Sequence, residues 1–358
     1  MVCGRLSVSR TDRRIQKERM GAMRLTFDEI KSEIKRVLVK YGMSEEKAET
    51  CARIHTETTY DGVYSHGTNR VARFVNYIQK GWVDVNAEPS LEREFGALRV
   101  YNGNMGPGVL NALYCADRAM ELADQYGIGM VGIRNTTHWM RGGTYGLYAA
   151  RKGYAAIMWT NTESCMPPWG GRECRLGNNP FVMAVPSADG GEPLQLDMAM
   201  SQYSYGKLQV TRLAGEKLPY PGGFDDEGNL TDDPGAIEQS RRVLPVGYWK
   251  GSAFSFMLDI LGSVLTDGIG AAGMDQKGYG SCGGCSQVMI VVDPGRTTTD
   301  AHMKEIMDTA VRYVKTSAPS EEGGSVRAPG QGSARFHEEH DRLGIYVDDD
   351  VWKEIQSL

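Results

Sequence analysis

The sequence predicts a mixed α/β fold, and three observations carry that reading. Apolar residues recur at helical spacing near the start, with Phe27, Ile30, Ile34, Val37, Leu38 and Tyr41 on one stripe. Short strand-like runs occupy the middle, at 129–133, 155–160, 181–185, 194–197 and 287–292. Helical segments separate these runs irregularly, near 109–126, 201–214 and 253–265, which favours a mixed sheet over a regular parallel array.

Composition narrows the class. The 358 residues are 41% hydrophobic and 24% charged, an ordinary globular balance. A net charge of -5 argues against a nucleic-acid partner and for a small-molecule substrate. No apolar run approaches the roughly 18 residues of a membrane span. The seven scattered cysteines read as free thiols in a reducing compartment, hence a cytoplasmic protein.

Taken in order, residues 1–22 carry Arg5, Arg10, Arg13, Arg14, Lys17 and Arg19 without an apolar stretch, which does not fit a secretory signal. They read as a disordered extension before a folded chain starting near Met23. Thr26 and Glu29 form a capping box that opens the first helix, and Gly42 closes it. A second helix starts at Ser44 and runs toward Asp61-Gly62, with His55 a structural residue on it. A third spans about 69–81. After Pro294 the chain turns helical over 302–314, passes a loop at 317–333 rich in Gly, Ser and Pro, and ends with a helix near 334–343 and the tail 348–358. The expected organisation is a helical region at 23–100, a sheet domain at 101–299, and a helical region at 300–358 that packs back on the first.

Chemistry concentrates at Val63-Tyr64-Ser65-His66-Gly67-Thr68-Asn69-Arg70. His66 is the candidate acid/base, since an imidazole exchanges protons near neutral pH. Gly67 would let a flat ring approach the backbone. A helix beginning at Ser65, with that serine as N-cap, would put His66 and Arg70 on one face. A proton donor beside a cation that binds carboxylates bidentately suits a 2-oxo acid. The competing reading makes His66 a packing residue and Arg70 a solvated charge. His138 and Arg141, in the loop after the strand at 129–133, would add a donor and a second cation, unless His138 is merely satisfied by backbone. Trp249 and Lys250, in Gly247-Tyr248-Trp249-Lys250-Gly251-Ser252, offer an aromatic face and a cation to an adenine or a pyrophosphate.

Other motifs are set aside. The G-x-G-x-x-G pattern occurs at Gly127, Gly268 and Gly278, but none of the three follows a strand and opens a helix, as the dinucleotide turn requires. Cys282-Gly283-Gly284-Cys285 has no second ligand pair for zinc, and His337-Glu338-Glu339-His340 lacks the zincin spacing; both read as solvent-facing or loop residues. No metal is expected.

Five segments in order, 63–70, 138–143, 166–170, 222–231 and 247–252, resemble the non-Rossmann malate/L-lactate dehydrogenase family, and the resemblance runs from Met23 to Leu358. It implies a homodimer with a non-Rossmann NAD-binding fold, built on a mixed, largely antiparallel sheet flanked by helices. It implies NADH-dependent reduction of a 2-oxo sugar acid, with hydride delivered to the C2 ketone and His66 as proton donor. The alternative is an NAD(P)-dependent dehydrogenase of malate, lactate or ureidoglycolate. A nucleotide-binding or thiol-dependent regulatory protein without turnover would keep Trp249-Lys250 but have no need of His66 or Arg70. Ser65, Arg70, His138 and Arg141 carry over as substrate contacts, Arg141 and Trp139 favouring a larger, hydroxyl-rich molecule. The cofactor contacts carry over onto Pro193, Leu194, Gln195, Leu196, Asp197, Met198 and Ala199, onto Trp249 and Lys250, and onto Gly330, Gln331 and Gly332. Gln331-Gly332 departs from the His-Glu or acidic residue that relatives commonly have there.

Overall fold

The computed structural model describes residues 23–320 and 324–358; the expected extension at 1–22 lies outside the described residues. The chain enters through β1 (Arg24–Leu25) and α1 (Phe27–Lys40). The capping box forms as predicted: Glu29 N–H donates to Thr26 Oγ1, and the Glu29 carboxylate accepts from Thr26 N–H at 2.7 Å. α2 (Glu45–Tyr60) follows, then two 3-10 turns, Tyr64–His66 and Thr68–Arg70, and α3 (Val71–Gln79).

β2 (Ser90–Phe95) and β3 (Leu98–Asn102) make a hairpin, followed by α4 (Gly108–Tyr126), β4 (Ile128–Thr136), α5 (Gly143–Arg151), β5 (Ala155–Thr160), β6 (Phe181–Val185) and β7 (Leu194–Met198). A small excursion contains α6 (Tyr205–Leu213), β8 (Gly223–Phe224), β9 (Leu230–Thr231), α7 (Pro234–Ser240) and β10 (Arg242–Val243), held by Leu208, Leu218, Ile237 and Val243. Then come α8 (Trp249–Thr266), α9 (Ala271–Lys277), β11 (Cys285–Val292), α10 (Asp300–Lys315), α11 (Ala334–Leu343), β12 (Ile345–Tyr346) and α12 (Asp349–Ser357).

The main sheet has seven strands in the order β2-β3-β4-β11-β5-β6-β7. Only β3 and β4 pair in parallel, so the sheet is mixed and largely antiparallel, as expected. β11 is inserted between β4 and β5 although it follows them by more than a hundred residues, which ties the late chain into the middle of the core. The three glycine motifs sit at the α4–β4 junction, between α8 and α9, and between α9 and β11; none is a strand-to-helix turn.

Two expected boundaries shift. The hairpin at 90–102 belongs to the sheet, so the helical first region ends before Ser90 and not at 100. β2 is exposed along its whole length and carries Glu92, Arg93 and Glu94, a charged edge strand without the apolar alternation that announces one. At the other end the chain returns to the start from α11 onward. Ile345, Val347, Trp352 and Ile355 join Ile30, Ile34, Leu38 and Val71 in one core, and β12 pairs with β1. α10 has no buried residue and is tied instead to the β6–β7 loop by Lys304 and Asp189 at 2.7 Å.

Candidate active site

α2 delivers the chain to the site and then holds it. Its C-terminal turn places Thr59 under Gly67, where Thr59 Oγ1 accepts from Thr68 N–H at 3.0 Å and donates to His55 O at 2.8 Å. A Cβ on Gly67 would run into Thr59, with the backbone nitrogen 2.9 Å away, so this glycine permits helix packing and not the approach of a ligand ring. His55 Nδ1 donates to Gly67 O at 3.1 Å, and burial lowers His55 to about 4, a neutral structural histidine as expected.

The helix expected from Ser65 does not form, because Gly67 at ψ −124° separates two 3-10 turns. Ser65 makes no cap. Its Oγ lies 2.9 Å from His66 Nδ1 and fixes the ring. The turns still bring His66 and Arg70 together: Arg70 Nε donates to Ser65 O at 2.9 Å, which leaves the terminal guanidinium nitrogens directed elsewhere. Among the described residues Arg70 has no carboxylate partner. His66 stacks on His138 with ring centroids 5.8 Å apart. His138 Nδ1 accepts from Met140 N–H at 2.9 Å, so backbone satisfies one nitrogen and the proton of the neutral ring sits on Nε2. Burial first, then the Arg70 and Arg141 charges, pull His66 down to about 3. Burial, Arg70 and His66 likewise hold His138 well below its ordinary value. Both rings are neutral at pH 7 in the free protein.

Ser65 and Arg70 open onto a cleft of about 640 Å³. Its second wall is the excursion, through Ser204, Lys207 and Gln209, and its third is α11, through Arg335 and Phe336. Gly62, at φ +80°, receives the Phe336 ring where a Cβ would stand. The acids on the rim are already engaged: Glu339 pairs with Arg24 at 2.6 Å and Glu238 with Arg212. The cleft is therefore cationic, suited to an acid.

Arg141 is placed differently from the expectation. It is 8% exposed and sits between Asp61 and Asp197, its Nε 3.6 Å from Asp197. Asp61 also accepts from His337 Nε2 at 2.7 Å, and His337 stacks on Tyr60 with centroids 4.5 Å apart. His340 Nδ1 donates to Tyr60 O at 2.7 Å, and its Nε2 is 3.1 Å from Tyr64 Oη. The expected solvent-facing character of these two histidines is corrected, since the face of α11 that carries them docks on the end of α2. Cys282 and Cys285 are also buried, and burial pushes the Cys282 thiol up to about 12, that of a small packing residue. Trp139, read as favouring a larger substrate, is 1% exposed against Tyr145 and touches no cleft. Among the described residues no group of three or more His, Cys, Asp or Glu gathers as a metal site.

Two of the three expected cofactor segments meet on the edge strand β7, and the third begins beyond its end. Gly330, at φ +87°, lies against the start of β7, where a Cβ would stand 3.0 Å from Gln195 N. Beyond the end of β7, Met200 O accepts from Val246 N–H at 2.8 Å, three residues before Trp249. Pro193 to Met200 is about 23 Å of extended chain. Gln195 and Asp197 point to α5, where Asp197 accepts from Gly143 N–H at 2.9 Å, so their side chains are engaged. Leu194, Leu196 and Met198 lie on the opposite face of the strand. Trp249 and Lys250 are exposed at the N-terminus of α8, which favours an anion. A bound dinucleotide fits this set through backbone and helix end, without an acidic side chain free on β7.

Reading the sequence did not find Asp61, the partner of Arg141 from 80 residues away, nor the wall formed by Ser204 and Lys207. No local pattern marks either. Arg73, three residues after Arg70, also lines the cleft, and that spacing was the available signal.

The chain belongs to the malate/L-lactate dehydrogenase family, which it matches over residues 25–356. It is thus an oxidoreductase acting on a CH–OH group, and the expected family and fold class both hold. Among curated relatives it is 45% identical over 341 residues to a 2,3-diketo-L-gulonate reductase from Citrobacter koseri, across 94% of this chain and 100% of that protein. A solved malate dehydrogenase from Pyrococcus horikoshii superposes with a TM-score of 0.84 at 27% identity, covering 93% of each chain. The sulfolactate dehydrogenase of Methanocaldococcus jannaschii gives 0.85 at 25% identity, over 94% of this chain and 96% of that one.

Proposed function

We propose that this protein reduces 2,3-diketo-L-gulonate to 3-dehydro-L-gulonate with NADH. The observation that carries the reading is that Arg70, whose charge acts on His66, has no carboxylate partner among the described residues and lines a cleft of about 640 Å³, room for a six-carbon acid. The similarity to the Citrobacter koseri reductase supports the same substrate. When bound, the nicotinamide supplies the hydride to C2. Arg70 receives the carboxylate on its terminal nitrogens, His138 offers its Nε2–H to a substrate oxygen, and Ser65 keeps the His66 ring in place. His66 gives a proton to the C2 oxygen as negative charge builds there. Because His66 is neutral in the free protein, the acid must take up a proton as the substrate binds, and the incoming carboxylate favours this by offsetting Arg70.

NADH over NADPH, a homodimer and a cytoplasmic location complete the proposal. α8 supports the dimer: it buries Gly251, Ser255 and Asp259 and leaves Phe256, Met257, Ile260 and Val264 exposed, an apolar face suited to a second copy. No single helix among the described residues is long and apolar enough to cross a membrane. Steady-state oxidation of NADH against 2,3-diketo-L-gulonate, oxaloacetate, pyruvate and oxalurate tests the substrate. Highest kcat/KM with the diketo acid is expected; a higher value with any other acid overturns the assignment, and better turnover with NADPH overturns the cofactor.

A further inference from the structure

Arg70 and Arg73 both line the cleft, and both line the narrow chamber beside it that is formed with Phe74, Tyr77, Thr137, His138, Met140 and Cys282. They form the partition between the two spaces. Arg70 is anchored through Nε, whereas Arg73 is exposed and makes no hydrogen bond or ion pair among the described residues. Its charge nonetheless acts on His138 and on Glu163. Glu163 has a buried carboxylate oxygen, Oε2, that no donor reaches, and it is paired with neither arginine. A planar cation with its donors uncommitted among the described residues therefore stands three residues beyond Arg70, on the same cleft wall.

We infer that Arg73 recognises the oxygen on C3 of the substrate. The inference rests on the proposed reduction of a 2,3-diketo acid. With C1 at Arg70 and the C2 oxygen at His66, the next atom along the carbon chain presents its oxygen to this same wall. Two N–H groups of one guanidinium can hold that oxygen and a neighbouring hydroxyl together. A 2-oxo acid with a methylene at C3 leaves the cation without an acceptor, and sites built around a hydrogen bond discriminate strongly against analogues lacking it. Arg73 is thus a specificity-determining residue, while Arg70 serves every 2-oxo acid.

The test compares kcat/KM for 2,3-diketo-L-gulonate and for 2-oxobutanoate in the wild type, Arg73→Met and Arg73→Lys. α3 is anchored by Val71, Phe74 and Val75, so an exposed substitution at 73 leaves the fold intact. Arg73→Met should lower the value for the diketo acid by about 10- to 100-fold, mainly through KM, and change that for 2-oxobutanoate less than about threefold. Arg73→Lys should recover part of the loss, since a point charge still meets one oxygen. Equal losses on both acids, or no loss on either, would overturn the inference. A wild type that prefers 2-oxobutanoate overturns the functional reading and this inference with it, whereas an unaltered preference in Arg73→Met overturns the inference alone.

Discussion

Arg70 and Arg141 both lower the basicity of His66, yet their guanidinium groups are engaged in opposite ways. Arg70 holds one backbone carbonyl and has no carboxylate partner among the described residues. Arg141 lies between two carboxylates, Asp61 from the end of α2 and Asp197 from the edge strand β7. Burial pushes the Asp197 carboxyl up even as Arg141 and the Gly143 N–H act to lower it, so Asp197 depends on that cation to stay charged. The difference teaches that a cation in an active-site segment is available to substrate only when the fold has not already given it an acid. Arg70 is left without an acid among the described residues; Arg141 joins the helical region to the sheet.

The largest effect that sharpens the contrast lies at His66, on which both charges act. His66→Ala should lose about 10²–10⁴-fold in turnover, the usual contribution of a positioned acid, with little change in NADH affinity. Near-native turnover would move the donor role to His138, whose ring stacks on His66.

Stability separates the two arginines next. Arg141→Met leaves Asp61 and Asp197 without their cation, which should cost about 3–5 kcal/mol in urea unfolding. Arg70→Met removes a cation that has no carboxylate partner among the described residues, together with its hydrogen bond to Ser65 O, and should cost no more than about 1.5 kcal/mol. Equal losses would show that Arg70 is held by more than the Ser65 carbonyl.

The smallest effect is a pH dependence. His66 has a folded pKa of about 3, below its ordinary value near 6.5, so the unfolded chain binds the proton more readily. Its contribution to stability is complete above pH 6.5 and declines as pH falls from there toward 3. Arg70→Met removes the second largest cause of that depression, so His66 should titrate higher by NMR and the decline in acid should be shallower. A His66 that titrates unchanged in Arg70→Met would place the two groups too far apart to share a substrate.

Much of this was legible from local pattern. The strands at 155–160 and 181–185 have the predicted bounds, since short apolar runs bounded by turn residues leave little alternative. The closeness of His66 and Arg70 was legible from eight consecutive residues. What escaped needed tertiary knowledge. The β2–β3 hairpin hid because its edge strand is charged, and the engagement of Arg141 hid because Asp61 and Asp197 lie far off in sequence. His337 and His340 were misread for the same reason: an α11 that looks solvated in one dimension docks on Tyr60 and Asp61 in three.

The account turns on Arg70 alone receiving the substrate carboxylate. The direct measurement is the ratio of kcat/KM for a 2-oxo acid to that for its primary amide, in the wild type, Arg70→Met and Arg141→Met, each assayed well below its unfolding transition. The preference for the acid should collapse in Arg70→Met, by about 30-fold or more when a buried anion loses its cation, and persist in Arg141→Met. A preference that survives in Arg70→Met and collapses in Arg141→Met would contradict the account, making Arg141 the clamp and the ion pairs with Asp61 and Asp197 a feature of the substrate-free protein.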